Sequence, residues 1–436
     1  MTIKKSIGAI SAALGMTAVL AQAPAPQFPS AADTDPMKLG WMVGSPPPAD
    51  KVVRFADMTH YRFPQTRWSF ANFRQLVPTT SIARGDGPVS PLPRAERADI
   101  DTVTFQPMGR SDTMTWEQSL AANYTDAILV LHKGRIVYER YFGVMKPQTQ
   151  HMAMSVTKSF YGTLGAMLVA EGKLDAAAPV VRYIPELKGT AYEDATVRQV
   201  LDMTVGVKYS ENYADTTAEI WQHVRAGSVM PRPAGYSGPQ TFYEFLQTLK
   251  KEGEHGQAFG YKTVNSDVAG WLIRRATSQS AGEVLSARIW QKLGAEQDGY
   301  MLIDTVGNEF AGGGFNPALR DMARFGEMMR LDGRFNGQQI VAKSVVDDIR
   351  AGGSKADFEK AGYATLPGWS YRNMWWISHN EHGAFAARGI HGQAIYIDPK
   401  AEMVIARFAS FPLAANANID PTTLPAFHAL ARHLMR

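Results

Sequence analysis

Strand-forming sequence occurs at two places far apart in this chain, and what lies between them reads mostly as helix. Ala127–Leu131 and Ile136–Tyr141 are short apolar runs joined through Lys133-Gly134, a strong hairpin signal. Strand character returns at Trp375–Ile377, Ala394–Ile397 and Met403–Phe408, the last two linked by Asp398-Pro399-Lys400-Ala401. The intervening block carries helical patterning at Phe160–Glu171, Thr196–Met203, Thr216–Ala226, Thr241–Lys250, Ser266–Ser278, Gly282–Lys292 and Asn316–Leu331. Asn316-Pro317 occupies the cap and first-turn positions of the last of these. A final helix is expected at about Thr422–Met435. This order predicts a mixed α+β fold: an antiparallel sheet built from both chain ends, with a mostly helical subdomain inserted at about residues 170–330.

Ser155 lies at the centre of that plan. It starts the helix that follows the first hairpin, and Lys158 stands one turn on, so the two side chains share a face. Ser155 is the only serine with lysine at the third following position. The apolar run from Phe160 to Ala170 buries this helix and carries the pair toward the core. A desolvated amine loses basicity until it can take a hydroxyl proton at neutral pH, and a helix N-terminus favours nearby negative charge. A serine nucleophile activated by lysine is the chemistry implied.

A second proton carrier is offered by Tyr261, in Phe259-Gly-Tyr-Lys-Thr-Val-Asn265, at the mouth of a helix; the expectation is that neighbouring lysine charge lowers its pKa. Ala386-Ala-Arg-Gly-Ile-His-Gly-Gln393, leading into the strand from Ala394, is the candidate oxyanion segment, because Gly389 and Gly392 allow close backbone approach. His391 reads as a structural histidine more readily than as an acid or base. His379 and His382 are three apart without a third histidine or a carboxylate in ligand spacing, so no metal is expected. Gly-x-Ser-x-Gly, His-Glu-x-x-His, the Walker loop and the dinucleotide fingerprint are all missing, which removes those classes.

Composition narrows the setting. With 436 residues and 45% hydrophobic content the chain can bury a large core. It has no cysteine, hence no disulfide, thiolate metal site or cysteine nucleophile. Residues 1–23 combine Lys4-Lys5, an apolar run and Ala21-Gln22-Ala23, the plan of a secretory signal, so export to a bacterial periplasm or beyond is expected, with no membrane span left after cleavage. Residues 24–50 are expected to form a proline-rich leader, and 51–436 the domain that carries Ser155. The formal charge of +4, without any block of like charge, argues against a nucleic-acid partner.

Taken in order, Ser155-Val-Thr-Lys158, Tyr261-Lys-Thr-Val-Asn265, Gly312-Gly-Gly-Phe-Asn-Pro-Ala-Leu-Arg-Asp-Met-Ala-Arg-Phe-Gly326 and Gly389-Ile-His-Gly-Gln393 resemble the serine β-lactamase and penicillin-binding-protein superfamily. Within it the chain is most similar to class C-like esterases and the 6-aminohexanoate-dimer hydrolases. The resemblance implies a β-lactamase/DD-peptidase-like fold and a cofactor-free acyl-enzyme route. Ser155 would attack, Lys158 and Tyr261 would share the proton, and the N–H groups of Ser155 and Gln393 would hold the oxyanion. Tyr213, Asn265, His391 and Gly392 would contact substrate, a small ester or linear amide. The family's Tyr-x-Asn is Tyr261-Lys262-Thr263 here, so the asparagine role passes to Thr263, to Asn265 or to neither. Ile390 stands where the family has a lysine, which argues against efficient β-lactam hydrolysis. A D-amino-acid peptidase, a weak penicillin-binding protein and a non-catalytic ligand-binding protein are the alternatives.

Overall fold

The computed structural model of the chain describes residues 28–436, so the expected secretion signal lies outside the described residues. The elements that position the site are β1 (Thr79–Ile82), α1 (Trp116–Ala122), β2 (Thr125–His132), β3 (Arg135–Tyr141), α2 (Val156–Ala170), α3 (Glu219–Ala226) and α4 (Val264–Thr277). They continue with β4 (Gly299–Leu302), β5 (Phe315–Asn316), α5 (Leu319–Arg330), β6 (Ser370–Arg372), β7 (Trp375–Ile377), β8 (Phe385–Gly389), β9 (Gln393–Asp398), β10 (Met403–Ala409) and α6 (Asp420–Leu434).

Seven strands make the main sheet in the order β6-β7-β8-β9-β10-β2-β3, each pair antiparallel. The two ends of the sequence meet where β10 pairs with β2, with Val404 opposite Leu131 and Ala406 opposite Leu129. Side chains alternate across a strand, so Leu129 and Leu131 face the α2 and α5 side with Phe160 and Phe325, while Ile128 and Val130 face Trp116 and Phe427. Covering both faces leaves no solvent side on β2, which is why its sequence is apolar without alternation. Each such side chain contributes about 1.5–3 kcal/mol of burial. Helix α2 is buried from Val156 to Leu168 and runs through the core. Gly162 lets it do so: a Cβ there would stand 2.1 Å from the Asn373 carbonyl oxygen.

Two elements depart from the sequence expectation. Asn316 does not cap a helix. It is fully buried at the end of β5, paired with Tyr300 of β4, and α5 starts at Leu319 after Ala318. Strand pairing to the small sheet β1-β4-β5 outweighs the local cap signal. The stretch Ala386–Gly389, expected only to lead into the strand from Ala394, is itself most of β8, in register with β9 from Phe385 opposite Ile397 to Gly389 opposite Gln393. Its alanines have low strand propensity, and the ladder on both sides overrides it.

Candidate active site

Ser155 stands at the N-terminal edge of α2, only 8% exposed. The approach to it is pinned by backbone bonds from Met152 N–H to the Phe70 carbonyl (2.9 Å) and from Ala153 N–H to the Phe315 carbonyl (2.9 Å). Met154 then adopts φ +48°, a conformation that non-glycine residues rarely hold without surrounding restraint. The result presents the Ser155 hydroxyl on a cavity wall, beside Lys158. Strand β8 comes in so closely that a Cβ on Gly389 would lie 3.0 Å from the Ser155 nitrogen.

The Lys158 ammonium donates to Ser155 Oγ (2.9 Å) and to the Gly312 carbonyl (2.5 Å), and the side chain is buried. Burial lowers its pKa to about 8, against the opposing pull of the Glu211 and Asp267 carboxylates. Near neutrality a useful fraction is therefore the free amine. Tyr261 presents its ring 5.0 Å from Lys158 Nζ and stacks on Trp376 (5.4 Å). Its pKa is not lowered, as the sequence suggested, but pushed well above the usual tyrosine value by burial and by Glu211, with the Ser155 hydroxyl opposing. Lys158 supplies too little charge there to offset desolvation, so Tyr261 holds its proton and can donate it.

Behind Lys158 lies a chain of buried groups that the sequence reading missed. The Gly312 N–H donates to Asp267 Oδ1 (3.0 Å), and Asp267 Oδ2 lies 2.7 Å from His223 Nε2. Tyr209 Oη is 2.9 Å from His223 Nδ1. The backbone of one residue thus faces the Asp267 carboxylate with its N–H and Lys158 with its carbonyl. Gly312 is required there because a Cβ would fall 2.3 Å from Thr263 Cγ2. Glu211 was missed too: it accepts from the Thr263 N–H (2.9 Å), and burial raises its pKa above the ordinary glutamate range. Its signal was a carboxylate next to Tyr213 in Tyr209-Ser-Glu-Asn-Tyr213.

Ser155 opens onto two lobes, of about 460 and 270 Å³. The larger is walled by Ile220, Trp221, Val224, Val229, Met230 and Phe310. The smaller reaches Tyr261, Tyr363, Trp376 and Arg388. Segments 204–240 and 361–376 both contribute to the walls, and residues 412–418 add a third side.

Tyr213 and His391 do reach the cavity, Tyr213 with its ring edge-on to Trp221 (5.9 Å). His391 Nδ1 lies 2.7 Å from the Phe411 carbonyl, and burial lowers its pKa to about 4, so the ring is neutral. Two expected contacts are corrected. Asn265 is fully buried away from both lobes, accepting from Tyr192 Oη (2.9 Å), while Thr263 is the one on the wall. Gly392 faces Ala409 and Ile419 instead, and its carbonyl takes the Arg407 Nε–H (2.9 Å). The Gln393 side chain is spent on the Ala409 backbone (2.6 and 3.0 Å), which leaves only its main chain for substrate.

Residues 115–422 match the sequence model of the Beta-lactamase family. The chain belongs to the beta-lactamase family. This family member is 37% identical over 350 residues to the 6-aminohexanoate-dimer hydrolase of Paenarthrobacter ureafaciens, covering 80% of this chain and 86% of that one. It is 27% identical over 193 residues to esterase EstB of Burkholderia gladioli, 40% of this chain and 46% of that one. Among solved structures, a Bacillus anthracis protein described as a candidate 6-aminohexanoate-dimer hydrolase superposes with TM-score 0.81 at 31% identity, covering 90% of this chain and 99% of that one. Membership makes the protein a hydrolase of the serine type, on the beta-lactamase fold expected from the sequence. Among the described residues no helix is long and apolar enough to cross a membrane.

Proposed function

We propose that the protein is an exported hydrolase that cleaves a small ester or linear amide through an acyl-enzyme on Ser155. The observation that carries this is Lys158 Nζ at 2.9 Å from Ser155 Oγ, in a site whose burial brings the amine to about pKa 8. Free Lys158 takes the hydroxyl proton as Ser155 Oγ bonds to the substrate carbonyl carbon. The Ser155 N–H, which has no acceptor among the described residues, and the Gln393 N–H hold the oxyanion. Tyr261, held protonated, donates to the leaving oxygen or nitrogen and is recharged from Lys158. Water then attacks the acyl carbon, gives its proton back through the same groups, and frees Ser155.

The larger lobe favours an apolar arm on the substrate, since Ile220, Val224, Val229 and Met230 line it. Linear amides of the aminohexanoate type fit the reading through the likeness to the Paenarthrobacter enzyme. Export rests on the signal-like residues 1–23. Against a non-catalytic binding role stands the activated pair itself. The test is the intact mass of purified protein after exposure to a fluorophosphonate, with peptide mapping. A single adduct on Ser155, and no turnover by Ser155→Ala, is expected; an unlabelled Ser155, or activity kept by the variant, overturns the reading.

A further inference from the structure

Far from the Ser155 cavity, helix α6 brings His428 against the turn between β7 and β8, where Glu381 and His382 stand. One ligand atom from each of these three side chains lies within 4.8 Å of the other two. His428 Nε2 is 3.2 Å from Glu381 Oε1, and the His382 and His428 rings are 4.9 Å apart. Asp398, fully buried at the end of β9, fixes the rest. Its Oδ1 accepts the Ala401 N–H (2.9 Å) and its Oδ2 sits 2.7 Å from His382 Nδ1. A carboxylate in that position requires the proton on Nδ1, which leaves the His382 Nε2 lone pair free on the other side of the ring. This is how a carboxylate orients a histidine that binds a metal. His428 Nδ1 is buried without a hydrogen-bond partner, so that ring too has unspent donor capacity.

We propose that Glu381, His382 and His428 form a divalent zinc-class site, oriented by Asp398, that fastens α6 to the β7–β8 turn. Two imidazoles with one carboxylate suit zinc and its borderline neighbours, whereas calcium and magnesium prefer oxygen sets. Tetrahedral zinc holds its ligand atoms about 3.3 Å apart, and the three side chains, already within 4.8 Å, reach that by small side-chain rotations. Water completes the fourth position. Chain spacing hid the set, because His428 is remote in sequence, and His379, the near neighbour, turns its Nε2 to Ser370 Oγ at 2.7 Å. The stretch from Asp420, which pairs with Arg388 beside the smaller lobe, to His428 spans two turns of α6, so the site anchors the helix whose start borders the catalytic cavity.

The experiment titrates chelator-stripped, tag-free protein with zinc by calorimetry and follows thermal unfolding in parallel. Expected are one saturable site with a Kd in the micromolar range or tighter and a raised unfolding midpoint. Glu381→Gln, an exposed change that spares the fold, and His428→Gln should each weaken binding at least about tenfold, and Asp398→Asn by about 10–100-fold. Esterase activity should stay unchanged, which separates this outcome from the fate of the Ser155 reading. No saturable uptake up to about 1 mM zinc, or an affinity untouched by Glu381→Gln and His428→Gln, overturns the site and leaves a surface Glu381–His428 ion pair.

Discussion

The two sides of Ser155 are built differently. On one side the groups are buried and in polar contact: Lys158 to Gly312 and Gly312 to Asp267 by hydrogen bonds, Asp267 against His223 at 2.7 Å, and His223 with Tyr209. On the other, the larger lobe is walled mainly by loop and helix side chains in apolar contact, several of them only partly buried, as Trp221 and Tyr213 are. The first kind of construction fixes atoms to within a hydrogen bond, as proton transfer demands. The second fixes only shape, and tolerates change without disturbing the chemistry. Chemistry and choice of substrate are thus carried by separable parts of the molecule.

The largest expected effect attacks the bonded side. Lys158→Ala removes the base and should lower kcat/KM by about 10²–10⁴-fold on any ester the protein cleaves. A rate within a few-fold of native would make Lys158 structural and erase the contrast. Gly312→Ala comes next: its Cβ meets Thr263 Cγ2 at 2.3 Å, and overpacking of this kind costs about 1–3 kcal/mol, here directed at the carbonyl that holds Lys158. We expect a fall of about 10–100-fold, partly recovered by adding Thr263→Ser, which deletes the clashing methyl. Failure of the second change to help would mean that the peptide plane is not what matters.

A third prediction reads the electrostatics. Because only the free amine of Lys158 accepts the proton, kcat/KM should rise with pH and level off above about 8. The Asp267 carboxylate favours the charged amine, so Asp267→Asn should shift that limb toward lower pH while reducing the plateau by about tenfold through loss of the Gly312 contact. A mere loss of stability would scale the profile without moving its limb. Glu211 acts on Lys158 in the same sense, while the buried hydroxyls of Tyr261, Tyr209 and Tyr192 are pushed well above the usual tyrosine pKa and stay uncharged across this range.

What was legible in the sequence follows the same division. Ser155, Lys158 and Tyr261 belong to blocks whose local pattern states their role, and β2, β3 and β10 carry enough apolar, β-branched sequence to declare themselves. β8 did not, because Phe-Ala-Ala-Arg-Gly forms a strand only between two partners already in place. His223 and Asp267 were invisible for another reason: they lie 44 residues apart and 65 and 109 residues from Lys158, and nothing in either neighbourhood marks a buried pair. Asn265 misled because it follows Tyr261 at a plausible distance, yet as the second residue of α4 its side chain points at Tyr192. Short-range pattern finds the residues proposed to act, and the folded chain is needed to find those packed behind them.

The smallest effect tests the apolar side. Each methylene buried against Ile220, Val224 and Met230 is worth about 0.8 kcal/mol, or roughly fourfold in binding, until the lobe is full. Along a series of straight-chain acyl esters with one leaving group, kcat/KM should therefore climb by up to about that factor per carbon and then flatten. Trp221→Ala widens the lobe without touching Lys158, Gly312 or Asp267. It should flatten the climb and raise KM for the longer esters by no more than about tenfold, with kcat and the pH limb near 8 unchanged. If instead kcat falls with every chain length alike, the lobe and the base are coupled, and substrate choice in this protein is set by how the acyl arm seats the carbonyl against Ser155 rather than by how much of it is buried.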